Sequence, residues 1–198
     1  MSETLLNIHA IKEAKTTHNI HPLIKKRWSA RAFSADPISD EHLAALFEAA
    51  SWAPSSMNQQ PWKYFYAHRT DESFNSFFEC LMPGNKLWAD KASVLVLSLA
   101  EKNFSHNPNV NKHAWHDVGA ANTLLLLQAA QMEIYGHQLG GFDKEKTIET
   151  FNLPEHLEPI CFIALGYYGD MNDLQEPFKS RETSLRERKN IADFAFKF

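Results

Sequence analysis

Apolar and polar positions along this chain fall into short blocks with two rhythms, one helical and one strand-like. Leu43, Leu46, Phe47 and Ala50 recur at helical spacing behind Ser39, which suits an N-cap. Asp40 and Glu41 suit the positive end of that helix, and it must stop near Ala53 because Pro54 follows. Pro22 sits where a first turn tolerates proline and opens a shorter helix over Leu23-Ile24-Lys25-Lys26-Arg27. Phe74, Phe77, Phe78 and Leu81 give one apolar face to a helix over residues 71–82. The longest helix is expected from Lys112 to Tyr135, apolar almost all round between Ala120 and Ala130, with Gly136 as its end. A last helix is expected from Asp143 to Phe151.

Strand-like blocks lie between these helices. Trp62-Lys63-Tyr64-Phe65-Tyr66-Ala67 begins just after Pro61, and Ser93 to Leu99 is a nearly continuous apolar run that fits a strand covered on both faces. Ile160 to Leu165 reads as a third strand. Residues 1–21 form a polar leader, and a polar loop rich in Asn and His spans about 101–112. The tail is polar from Gly169 to Asn190 and ends in Phe194, Phe196 and Phe198. The pattern gives one domain over 22–198 with a C-terminal arm, and helices interleaved with a few strands, as α+β or α/β. No GxGxxG follows the first strand and no GxxxxGK[ST] occurs, so neither a Rossmann fingerprint nor a P-loop is present.

With 44% hydrophobic and 22% charged residues among 198, the chain has the globular balance and can bury a substantial core. A net charge of -4 argues against a nucleic-acid binder, which needs a basic face. Cys80 and Cys161 match no CxxC or zinc spacing and read as free thiols. Met1 to Ala14 holds no apolar block of the signal-peptide kind, and no run approaches the roughly 18 apolar residues of a membrane span. The expectation is a soluble cytoplasmic protein with neither a membrane nor a nucleic-acid partner.

Four segments could carry chemistry. Arg27-Trp28-Ser29-Ala30-Arg31 places two guanidiniums and a hydroxyl at alternate positions, so an extended backbone presents all three on one side. Paired guanidinium donors suit a phosphate. Pro54-Ser55-Ser56-Met57-Asn58-Gln59-Gln60-Pro61-Trp62 is a charge-free loop of amides and hydroxyls, suited to a heteroaromatic ring or to a plain helix-to-strand connection. Gly140-Gly141 lets backbone N–H groups approach a ligand where a Cβ would collide, or serves as an ordinary turn. The tail carries Arg181, Arg186, Arg188 and Lys189, interrupted by Glu182 and Glu187. His113 and His116 lie one turn apart with Asp117 adjacent, but no third ligand has a convincing metal spacing, and no metal site is expected.

Taken jointly and in this order, the four segments resemble the nitroreductase family of FMN-dependent homodimeric reductases, from about Pro22 to Ala195. The resemblance implies an α+β fold with a central, mostly antiparallel sheet flanked by helices, built as an intertwined homodimer. It implies that Arg27, Ser29, Arg186 and Arg188 hold the FMN phosphate, and that Arg31 lies near the ribityl chain or the N1–O2 edge. Pro54, Ser55, Ser56, Asn58 and Gln60 belong by the same resemblance to a flavin loop that reaches the other subunit's cofactor. Leu139, Gly140 and Gly141 match the turn whose backbone N–H groups meet flavin N5 and O4. Asn85 or Lys86 falls near a family position at the pyrimidine edge. The implied activity is hydride transfer from NADH or NADPH through flavin N5 to a small oxidant (nitroaromatic, quinone or enone) in ping-pong fashion, with no side-chain acid or base assigned. A flavin reductase or dehalogenase of the same fold, or a flavin-binding module without activity, stays open. The segment between Leu99 and the long helix is short where larger members carry a substrate-covering excursion, so the oxidant does not follow from the resemblance.

Overall fold

The computed structural model describes residues 3–106 and 109–198; residues 1 and 2 of the leader and 107 and 108 of the polar loop lie outside the described residues. Four strands, β1 (Trp62–His68), β2 (Val94–Glu101), β3 (Ile134–Leu139) and β4 (Leu157–Tyr167), form one sheet in the order β1-β2-β4-β3. Every pairing is antiparallel, with Phe65 opposite Leu97, Leu97 opposite Phe162, and Leu139 opposite Phe162. The helices are α1 (Glu3–Lys12), α2 (Pro22–Lys26), α3 (Asp40–Ser51), α4 (Phe74–Glu79), α5 (Pro83–Ala89), α6 (Ala114–Gln131), α7 (Lys144–Thr150) and α8 (Phe178–Thr183). This is the α+β arrangement of an antiparallel sheet with helices on both faces. Among the described residues no helix is long and apolar enough to cross a membrane.

The apolar run of β2 is buried from Val94 to Ala100 because its alternate side chains feed two cores. Leu95, Leu97 and Leu99 pack with Phe162, Phe77 and Trp88 on one face. Val94 and Val96 pack with Ile163, Leu43, Leu46 and Leu125 on the other, under α3 and α6. The Ser39 hydroxyl accepts the His42 N–H and caps α3, and Asp143 caps α7 through the Lys146 N–H, as side-chain chemistry at those positions requires.

Two of the expected helices differ from the sequence pattern, and the polar leader, for which a helix is open, forms one in part. The long helix stops at Gln131 instead of reaching Tyr135. Glu133, at φ 56°, turns the chain, and Ile134–Leu139 becomes the edge strand β3. Ile134 then enters one core and Tyr135 the other, the strand alternation overriding the helical signal. Gly136 is therefore no helix stop: it lies mid-strand opposite Leu165, where a Cβ would sit 2.2 Å from Leu126 Cδ2. The helix expected over 71–82 shortens to α4, and Pro83 starts α5, which buries Trp88. Part of the leader is ordered as α1, with Ile8 buried and Lys12 donating to the carbonyls of Arg181 and Ser184 beside α8.

Candidate active site

Beyond α2 the chain runs extended, and the alternation in Arg27–Ala32 is complete. Trp28, Ala30 and Ala32 are buried, while Arg27, Ser29 and Arg31 face the partly open side. The Arg27 Nη1 lies 3.5 Å from the Ser29 hydroxyl. The tail returns to this segment: Arg186 Nη1 donates to the carbonyls of Lys12 (2.9 Å) and Lys25 (2.7 Å), which sets the tail against α2. Arg188 donates to the Glu187 carbonyl. Burial and then the charge of Arg188 lower the Arg27 pKa, and burial and then Arg27 and Arg188 lower that of Arg186. Among the described residues none of these three guanidiniums is paired with a carboxylate. Arg27 and Arg186 are partly buried and Arg188 is exposed, and with no carboxylate among them their like charges repel one another.

Arg31 has a different setting. Its N–H donates to Glu182 Oε1 at 2.9 Å and its guanidinium lies 3.9 Å from the same oxygen, between the rings of Trp88 and Phe178. Glu182 is fully buried, and burial pushes its pKa up to about 7 against the opposing pull of Arg31 and Lys12. His137, on β3, lies 3.1 Å from the Ala30 carbonyl, which accepts only; its Nδ1 therefore carries the proton. The ring packs on Trp88, and burial, then the charge of Arg31, pushes its pKa down to about 4. His137 thus joins the arginine segment to the strand that leads into the glycine pair.

That strand ends in buried Leu139, followed by Gly140 and Gly141. Neither glycine has a positive φ, so space and not backbone freedom is what they offer. Nothing lies within 4 Å of a Cβ built on Gly140, leaving that backbone open, whereas a Cβ on Gly141 would meet Asn85 Nδ2 at 2.9 Å. Asn85 donates to the Gly141 carbonyl, and Lys86 turns away to Glu79.

The Pro54–Trp62 loop is held in an unusual shape. Met57, Asn58 and Gln60 all have φ of 53–55°, a region that Asn tolerates and that costs residues such as Met and Gln about 1–2 kcal/mol. The Ser55 hydroxyl accepts the Gln60 N–H, Gln59 Oε1 accepts from Ser105, and Asp117 Oδ2 accepts the Ser56 N–H. This loop enters β1, whereas the glycine pair leaves β3, the opposite edge of the sheet. Two strands intervene, about 14 Å at ordinary strand spacing. The chain therefore sets the arginine segment beside His137, on the strand that leads to the glycine turn, and leaves the loop at the opposite edge of the sheet. Sequence reasoning missed Lys12, Glu182 and His137, whose partners lie far away in the chain. It took Asp117 only as a neighbour of two histidines. Among the described residues no group of three or more His, Cys, Asp or Glu is placed to hold a metal.

The fold recurs in known proteins. A solved structure described as an oxidoreductase containing FMN superposes with a TM-score of 0.88 at 33% identity, covering 92% of this chain and 93% of its own. A curated Archaeoglobus fulgidus protein, named as a candidate NADH dehydrogenase/NAD(P)H nitroreductase, is 29% identical over 162 residues, 78% of this chain and 88% of its own length. An uncharacterized 15.4 kDa protein of Mycolicibacterium smegmatis is 31% identical over 130 residues, 66% of this chain and 86% of its own. The family model described as Nitroreductase family matches residues 24–79 and 78–167, most of the sheet and of both cores. The chain belongs to the nitroreductase family.

Proposed function

We propose that this protein is an FMN-dependent oxidoreductase that moves a hydride from NADH or NADPH to a small oxidant such as a nitroaromatic, a quinone or an enone. The observation that carries the reading is that Arg186, tied to the Lys25 carbonyl, and Arg188 lie near Arg27 without a carboxylate. Such a cluster is costly alone and favourable around a phosphate monoester, which FMN carries. Membership of the family and the FMN named for the similar solved structure support the same cofactor. The open backbone at Gly140 fits a flat ring approaching the end of β3.

When bound, FMN supplies the redox chemistry at N5. Arg27, with Ser29 beside it, holds the phosphate, assisted by Arg188 and by the free donors of Arg186. Arg31, fixed by Glu182, brings positive charge towards the ribityl chain or the N1–O2 edge, where it favours negative charge on the ring system. The N–H groups of Gly140 and Gly141 orient N5 and O4. No side chain is asked to transfer a proton. With no second binding site assigned, nicotinamide donor and oxidant would use the same bound FMN in turn, which would give ping-pong kinetics.

The working unit is a homodimer. The loop of Ser55, Ser56 and Asn58 lies across the sheet from its own glycine turn, so it serves the partner's site. Trp52, just ahead of that loop, and Met57, within it, are 80% and 74% exposed and need cover. Ala120, Leu124 and Leu127 leave a half-buried apolar stripe on α6, and Ile191, Phe194, Phe196 and Phe198 stand exposed on the arm. The test is FMN affinity in wild type and Arg27→Ala. A charged phosphate contact contributes about 1.5–3 kcal/mol, so affinity falls roughly 10- to 150-fold. A variant that stays fully yellow through gel filtration contradicts the assignment.

A further inference from the structure

We infer that Asp117 is a positioning residue that sets the shape of the Pro54–Trp62 loop through the Ser56 amide, an inference that rests on that loop serving a flavin. Asp117 lies in the first turns of α6, 61 residues from Ser56, and is only 3% exposed. A buried carboxylate there is stabilised by the helix N-terminal dipole and needs hydrogen-bond donors. It has two: the Ser56 N–H on Oδ2 at 2.9 Å and His116 Nδ1 on Oδ1 at 3.0 Å. His116 itself is well exposed, so the half-buried Ser56 amide is the better shielded partner of Asp117.

The loop needs such an anchor. Three non-glycine residues within four positions hold left-handed backbone, which Asn58 tolerates and which is unfavourable for Met57 and Gln60 unless the surroundings hold it. Asp117 fixes the loop at Ser56, directly ahead of Met57 and Asn58. The Ser55 hydroxyl then closes the turn on Gln60, and Gln59 is tied to Ser105. Removing the first tie releases the segment that presents Ser55, Ser56 and Asn58, although Asp117 touches no ligand itself. The charge at the helix start, which resembles part of a metal set in sequence, thereby acquires a use in shaping the site.

The test compares wild type, Asp117→Ala and Asp117→Asn by amide hydrogen exchange without flavin, then by FMN titration. Asparagine keeps an oxygen for the Ser56 N–H and an amide for neutral His116. Expected are a loss of protection at Ser56 and Gln60 of about tenfold or more in D117A, no change at Leu125 in the α6 core, and near wild-type protection in D117N. FMN affinity should follow, about tenfold weaker in D117A and restored in D117N. Unchanged protection at Ser56 in D117A overturns the inference whatever the flavin result. Wild type that fails to bind FMN, with protection lost as expected, instead defeats the flavin reading and leaves the loop anchor standing. Should D117A lose protection throughout, the scalar coupling across the hydrogen bond from Ser56 nitrogen to Asp117 Cγ in wild type decides, and its absence overturns the anchor.

Discussion

Glu182 and His137 should titrate against each other in the stability of this protein. Both face Arg31: Glu182 through the Arg31 N–H and guanidinium, with Lys12 and Tyr168 also on it, and His137 through the Arg31 and Arg27 charges. The Glu182 pKa rises from an ordinary 4.5 to about 7, so between those values the folded state binds the proton that the unfolded chain has released. Its contribution is present below pH 4.5 and is lost as pH rises through 7. The His137 pKa falls from 6.5 to about 4, so its contribution is present above pH 6.5 and is lost as pH falls through 4. Each shift is worth on the order of 3 kcal/mol, with opposite slopes over nearly the same window. In wild type the two slopes largely cancel. Glu182→Gln, whose carbonyl still accepts the Arg31 N–H, removes one and should gain stability relative to wild type from pH 4.5 to 7. His137→Gln removes the other and should gain relative to wild type as pH falls from 6.5 to 4. Urea unfolding at fixed protein concentration and fixed flavin content, at half-unit intervals from pH 4 to 8, reads both differences. Curves for the variants that run parallel to wild type across the whole range would refute the reasoning.

Gly136→Ala should lower stability by about 1–3 kcal/mol, because its Cβ meets Leu126 at 2.2 Å and Leu165 at 3.0 Å inside a packed core; an unchanged melting temperature contradicts this. Truncation after Asn190 removes Ile191, Phe194, Phe196 and Phe198, all exposed in the single chain, and should weaken the proposed dimer in sedimentation velocity at micromolar concentration. A truncated chain that sediments as wild type removes the arm from the interface.

Local chemistry made most of the fold legible. Ser39 capping α3, Pro54 ending it and the apolar run of β2 each act within a few residues, and the structure places all three as the pattern implies. The β3 edge strand was hidden because Ile134 and Tyr135 continue the helical spacing of α6, and only pairing with β4 reveals their alternation. The site divides in the same way. The Arg27-x-Ser29-x-Arg31 alternation could be read directly, since burial of Trp28, Ala30 and Ala32 follows from their own character. Glu182, Lys12 and His137 could not, because their meaning comes from partners more than 100 residues away. The loop residues were visible as a group, but their left-handed backbone, adopted without a single glycine, was not.

The most direct measurement is a visible spectrum of the purified protein, with FMN added if needed, followed by anaerobic titration with NADH and with NADPH. The expected result is an oxidised-flavin spectrum at about one FMN per chain, bleached by at least one nucleotide and restored on adding a quinone or nitroaromatic. A colourless protein that takes up no FMN would contradict the assignment of the arginine cluster. A yellow protein that neither nucleotide bleaches would retain the cofactor and refute the oxidoreductase activity.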